Sequence, residues 1–436
     1  MTHQSLIATK HFRRNWLSFF GDYVFFGLGI TFASTSTTLP AFAAALTDNK
    51  ILIGAVSSVW LGGWLLPQVF VANFLSNKPR KYPILIWAAI IGRPVFPLFT
   101  LWVLLGGTRF SALTMFLFLF TIAFFTLWDA VAALAWFDLM GKSLAPETRG
   151  RMIGIGQAFI GIASIGIGVW IRYLLGEHGP AFPLNYAVIF GSASLFFWLS
   201  FIACAFIVES PEAVVEVRPS FKDYLPQLLS VWRENAAFSR VMLVRLLTGL
   251  GSLAASFYVV YGIEVQHLPA SSVGLFAAAN TVGVAIAGIV LGLVADRWGS
   301  QRVVQITNWL AFSVPALAIV MSTDIFGSAL AWVYPGLYVL MGIFEGSIML
   351  GYFNFILEIS PAGQRPVYIG LANTVTGVLV VVPVLGGFIL SQTSYLILFI
   401  IAAAGTLAGA LGSINLPNPR KEKLLKFRIA ETAEKN

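Results

Sequence analysis

Five ionisable side chains stand inside otherwise apolar runs: Asp22, Arg93, Asp129, Arg245 and Glu345. Within a bilayer each such charge costs at least ~2.5 kcal/mol at a helix centre unless it is paired or hydrated. A carboxylate that alternates between wet and dry surroundings can load and release a proton, and it can also hold an organic cation. Asp22, Asp129, Arg245 and Glu345 are candidates for a substrate and proton cavity, with Arg93 as a possible structural partner. Enzyme chemistry has no constellation here, and no cofactor is expected. Cys204 is the single cysteine, which leaves no disulfide framework and no thiolate metal site. His3, His11, His178 and His267 lack the spacing of metal ligands.

Two of the five charges are related. An offset of 216 carries Asp129 to Glu345, Arg149 to Arg365, Gly154 to Gly370, Gln157 to Asn373 and Gly161 to Gly377. Across 129–161 and 345–377 six of 33 positions are identical. Both windows read as an apolar helix with one carboxylate, a charged turn with an arginine, then a glycine-rich apolar helix. Weak symmetry between hydrophobic halves is the trace of a membrane transporter built from repeats.

The elements that must position these residues follow from composition. Hydrophobic residues make up 58% of the 436, charged ones only 11%, and mean hydropathy is +0.83. A bilayer core about 30 Å thick takes roughly 20 apolar residues per helix. Twelve such runs occur, at 15–45, 52–75, 82–106, 111–141, 152–176, 184–208, 239–266, 271–294, 303–322, 327–356, 367–390 and 394–415. They are continuous, without the alternation of barrel strands. The expected fold is an all-α membrane protein of 12 transmembrane helices in two pseudo-symmetric six-helix bundles. Residues 1–208 form the first bundle, 209–238 a cytoplasmic linker, 239–416 the second bundle and 417–436 a basic tail. Within the linker Phe221, Tyr224, Leu225, Leu228, Leu229 and Trp232 make an apolar stripe suited to an interfacial amphipathic helix.

Lysine and arginine set the orientation. Of the 27, 22 fall on the side that holds the N-terminus and three on the other, with Arg93 and Arg245 inside spans. Both termini are therefore expected in the cytoplasm, with the protein in the cytoplasmic (plasma) membrane. The net charge of +8 is a topology signal, not a nucleic-acid footprint, because the basic residues are spread over short loops and a tail.

The loop between the eighth and ninth runs reads GLVADRWGSQR, from Gly292 to Arg302. It resembles the signature loop of the major facilitator superfamily: a glycine, an Asp-Arg pair, a second glycine and a closing basic residue. With twelve runs and the duplication, the resemblance covers essentially the whole chain. It implies two bundles that rock about a midplane site lined by the first, fourth, seventh and tenth helices, which hold four of the five buried charges. Gly292 and Gly299 suit a turn in which backbones approach closely. Asp296 suits a cytoplasmic clamp against a helix N-terminus. Arg297, Gly299, Arg302, Arg149 and Arg365 complete the expected gating loops. The first-half copy departs from the pattern, with Asn73 at the glycine and Asn77 at the aspartate. The proline-and-glycine signature of proton-exchanging exporters is absent from the fifth run.

At 1.5 Å per residue, Asp129 and Glu345 lie roughly 15 to 20 Å from the cytoplasmic ends of their helices, near the midplane. Arg93 is at a similar depth and is a candidate salt-bridge partner for Asp129. Asp22 aligns one position from the equivalent of Arg245, so a charge pair there would bridge the halves. Thr31 and the hydroxyls from Ser34 to Thr38 are candidate cavity lining. The function expected is a secondary active transporter of a small organic solute, monomeric, in contact with membrane lipids and coupled to protons; three cavity acids against one base also suit a cationic substrate. A transporter-shaped scaffold without flux is the competing class.

Overall fold

A computed structural model describes residues 11–76, 78–209, 231–233, 235–361 and 365–418. Twelve membrane-crossing segments are numbered in chain order. In the first half they are α1 (Phe12–Phe32, resuming as Thr38–Leu46), α2 (Lys50–Ser76), α3 (Tyr82–Gly92 and Val95–Leu104), α4 (Ser111–Ser143), α5 (Pro146–Leu174) and α6 (Leu184–Ala205). The second half has α7 (Ala236–Gly249 and Phe257–Glu264), α8 (Ser272–Trp298), α9 (Ser300–Met321), α10 (Leu330–Ile348, continuing to Ile359), α11 (Arg365–Gly377 and Val382–Gln392) and α12 (Tyr395–Ile414).

Among the described residues, 11 helices are long and apolar enough to cross a membrane. The segment missing from that set is α1. It is interrupted at 33–37; its first piece is long enough but too polar, with Asn15, Ser18, Asp22 and several glycines, and its second is only nine residues long. Most of the linker stripe, from Phe221 to Leu229, lies outside the described residues, as does most of the basic tail.

The interruptions have local causes. In α1 a run of hydroxyl side chains competes with the helix for backbone partners, and Ser34 and Ser36 bond each other at 3.2 Å. In α3 the break falls at Arg93 and Pro94, where proline supplies no N–H. The first piece of α7 ends in a tighter turn at Leu250–Leu253, so α1 and α7 are broken at similar points of the two halves. Helix α5 begins earlier than the apolar run suggests because Pro146 occupies its first position, where a missing N–H costs nothing.

Aromatic packing holds the first bundle. Phe42, fully buried, meets Phe118 and Phe190 edge to face with centroids 4.9 and 5.0 Å away. Small residues hold the second. Gly283 of α8 and Gly342 and Gly346 of α10 sit where an added Cβ would strike the facing helix, a close approach of the small-xxx-small kind.

The halves touch along a seam towards the end of the molecule that holds Lys50 and Glu264. A Cβ at Gly168 or Gly274 would collide across the α5–α8 contact, and one at Gly54 or Gly387 across α2–α11. Ser57 and Ser256 share a hydrogen bond of 2.6 Å, and Ser58 accepts from the Val384 backbone at 3.2 Å. Lys50 meets Glu264 at 2.6 Å, and Tyr395 donates to the same carboxylate at 2.9 Å. Towards the opposite end the glycines have room: Gly150, Gly154 and Gly292 have nothing within 4 Å of an added Cβ.

Candidate functional site

The five buried charges divide into two groups. Asp22 and Arg93 are 7% and 6% exposed and packed inside the first bundle. Their closest charged atoms are 3.7 Å apart. Ser200 of α6 lies between them, accepting from Arg93 Nη2 at 2.9 Å and donating to Asp22 Oδ1. Arg93 Nη1 donates to the Phe197 carbonyl at 2.6 Å. The break in α3 frees the Arg93 side chain to reach α6, whose carbonyl and hydroxyl complete its hydrogen bonds.

Two pairings that the sequence suggested do not form. The ion pair of Arg93 is with Asp22, not Asp129. Asp22 does not bridge to Arg245, because α1 turns it towards α3 and α6 of its own half. Arg245 instead lies 5.1 Å from the Tyr352 ring, a cation–π contact within the second half. Tyr352 in turn donates to Asn308 Oδ1 at 2.9 Å, and Thr248 bonds the same oxygen.

Asp129, Glu345 and Arg245 form the other group, each half-buried rather than sealed. Asp129 shares a stripe of α4 with Phe125 and Trp136, which stack on Phe26 and Tyr23 of α1. From there it lies in the field of both Arg93 and Asp22, with Trp64 as hydrogen-bonding neighbour. Glu345 accepts from Asn280 Nδ2 of α8 at 3.1 Å. Among the described residues neither carboxylate has a basic group within the 4 Å of an ion pair.

Beside them Gln157, whose duplicate is Asn373, hydrogen-bonds with Tyr23 of α1, and its Oε1 fills the space that a side chain at Gly288 would need. One α5 side chain thus touches both halves. A five-residue π-helical turn, Met349–Phe353, follows Glu345 on α10 and contains Tyr352. Such turns concentrate at functional sites. No apolar periodicity announces one, which is why sequence reading missed it.

The hydroxyl run after Thr31 does not line open space. Thr31 faces Thr281 at 3.4 Å, Ser57 donates to the Thr35 carbonyl at 3.3 Å, and Thr37 and Thr38 are fully buried. These residues belong to the seam between the halves.

Of the loop residues, Gly299 has φ +84°, a left-handed value that glycine adopts without strain. Gly292 is not needed for close approach, since the space beside it is open. Asp296 and Arg297 are exposed in the last turn of α8, and Arg302 donates to Gln305 at 3.0 Å. Arg149 turns back on its own half: it donates to the Leu144 and Gly141 carbonyls at 2.6 and 2.5 Å, capping the end of α4. Arg365 opens α11, and its side chain lies outside the described residues.

The family model of the Major Facilitator Superfamily matches residues 24–379 and 241–432. The chain belongs to the major facilitator superfamily. Solved structures agree on the fold. A D-xylose-proton symporter superposes with TM-score 0.68 at 12% identity, over 93% of this chain and 98% of that one. A mutant of the nucleoside transporter NupG gives TM-score 0.66 at 12% identity, over 93% and 99%. An auto-inhibited POT family peptide transporter gives 0.64 at 12% identity, over 93% and 98%. No curated protein matches the sequence. As a superfamily member the chain is a multi-pass membrane protein of transporter type, with two six-helix bundles.

Proposed function

We propose that the protein is a proton-coupled secondary transporter of a small organic cation, working by alternating access in the cytoplasmic membrane with both termini in the cytoplasm. The observation that carries this reading is the unequal treatment of the buried charges. Asp22 and Arg93 neutralise each other in close packing, whereas Asp129 and Glu345, equivalent across the duplication, are half-buried without an ion-pair partner among the described residues. A half-buried carboxylate near the midplane is held by a proton, by water or by a cation that comes and goes. The first and third are what a carrier needs.

In this reading residues 1–208 and 239–416 are the rocking units, joined by 209–238 and followed by the tail 417–436. The seam around Lys50 and Glu264 is the closed outer face, and the cavity opens towards the cytoplasm. Glu345 and Asp129 carry the exchangeable proton and the substrate charge. Arg245 on Tyr352 sets the inner limit of the cavity. Asp296, Arg297, Gly299, Arg302 and Arg365 form the inner clamp of the opposite state, with Arg149 firming the turn behind it. The functional unit is a monomer, since the cavity lies between bundles of one chain.

Flux in proteoliposomes tests the proposal. A panel of small amines is added to vesicles containing a pH-sensitive dye, with and without an imposed pH gradient. An amine-dependent proton movement that requires the protein is expected. Gradient-independent uptake would remove the coupling, and absence of flux across the panel would favour a scaffold.

A further inference from the structure

Outside the space between the bundles, a groove of about 850 Å³ runs along the bilayer-facing side of α1 and α6. Its floor is made by Ser18 and Gly21 of α1 and Ala203 of α6, small residues that let a guest lie close to both helices. Leu17 and Phe206, each 54% exposed, and Ile202, 51% exposed, form apolar walls. At one end of the lining stand Arg13 and Arg14.

We propose that this groove binds one anionic diacyl phospholipid, its phosphate at Arg13 and Arg14 and one acyl chain along the floor. Three observations converge. First, the charge is concentrated: two exposed guanidinium groups occupy the first turn of α1, where the helix dipole is already positive, and no acidic residue in that turn offsets them. Second, Arg14 is held in place, its Nε donating to the Phe206 carbonyl at 2.7 Å, so the charged end stays over the mouth of the groove. Third, the dimensions fit. From Arg13 to Phe25 the helix rises roughly 18 Å, the length of a common acyl chain. The one polar group on the floor, the Ser18 hydroxyl, donates to the Arg14 carbonyl at 2.9 Å and offers the chain no dangling donor. Basic residues placed for topology alone would need neither the groove nor the fixed guanidinium.

The occupant is a lipid and not a free anion, because the apolar groove is continuous with the charged mouth. Native mass spectrometry of the full chain in detergent, titrated with phosphatidylglycerol or phosphatidylcholine, decides the matter. The wild type should retain phosphatidylglycerol in preference to phosphatidylcholine. Arg13→Gln should lower phosphatidylglycerol affinity about five-fold, from roughly 1 kcal/mol per basic residue at a lipid surface. Ile202→Trp, which fills the groove from its exposed wall, should reduce retention of both lipids, and Leu17→Trp should do the same from the α1 side. All three positions are exposed, so the variants should elute and melt as the wild type does. Equal retention of the two lipids by the wild type, unchanged phosphatidylglycerol binding in Arg13→Gln or in both tryptophan variants, or displacement of the lipid by millimolar inorganic phosphate would each overturn the proposal.

Discussion

Arg93 and Asp22 stand 3.7 Å apart, and Ser200 joins them by accepting from one and donating to the other. That relay takes one acid, Asp22, out of the expected cavity charges and makes Arg93 its structural partner. It also ties three helices of the first bundle together at a depth where water is scarce.

Breaking the relay from one side should destabilise the protein. Arg93→Gln leaves the Asp22 carboxylate buried without its counter-ion, a change that costs about 3 to 5 kcal/mol in buried pairs. The unfolding midpoint in detergent should fall, and the double variant Asp22→Asn, Arg93→Gln should recover most of the loss. A single variant that melts with the wild type would return Asp22 to the cavity.

Glu345→Gln keeps shape and hydrogen bonding to Asn280 while removing titration. Uphill transport driven by a pH gradient should be abolished, and counterflow, which needs no net proton movement, should persist. Unchanged uphill transport at wild-type expression would leave Asp129 to carry the coupling.

Closure around Lys50 and Glu264 rests on backbone contact more than on charge. An ion pair at the protein surface contributes about 0 to 1 kcal/mol, and this one is only partly buried, so Lys50→Gln should shift the conformational balance only slightly. Gly168→Val, by contrast, places branched atoms against Ala278 and the Gly274 carbonyl. Distances between spin labels at positions 48 and 267 should lengthen in Gly168→Val and stay near wild type in Lys50→Gln. The reverse order would make the ion pair the principal latch.

Orientation is open to a direct measurement. Arg297 is exposed in the last turn of α8, whereas Ser300 is 1% exposed and bonded to Glu358, so position 297 suits a label and 300 does not. Arg297→Cys should react with an impermeant thiol reagent only after the cells are opened. Labelling of intact cells would invert the topology.

Much of this architecture was readable in the chain because its signals are local. Apolar runs gave most helix ends to within a few residues, the start of α5 differing most because Pro146 initiates the helix ahead of the hydrophobic stretch. The five buried charges stood out because a bilayer makes each of them costly. Partner choice was not readable. Depth along a helix follows from residue count, but the direction of a side chain depends on rotation about the axis, where one residue of error is about 100°. Residue count matches Arg93 in depth to Asp129, whereas the break in α3 and the hydroxyl of Ser200 deliver it to Asp22. The run from Ser34 to Thr38 was ambiguous for a similar reason, since hydroxyls suit a polar cavity and a packed polar seam equally well.

The π-helical turn at Met349–Phe353 gives α10 a change of phase. A turn that holds an extra residue sets the helix beyond it back by about 100° relative to an unbroken spiral. Glu345, ahead of the turn, faces Asn280 of α8, while Tyr352, within it and seven positions on, meets Asn308 of α9 and the guanidinium of Arg245. The duplicate segment of α4 is an uninterrupted α-helix to Ser143, so equal residue counts beyond Asp129 on α4 and beyond Glu345 on α10 do not trace equal rotations. The two halves align residue against residue without a gap and yet diverge in angle, so the second turns away from the first below its carboxylate.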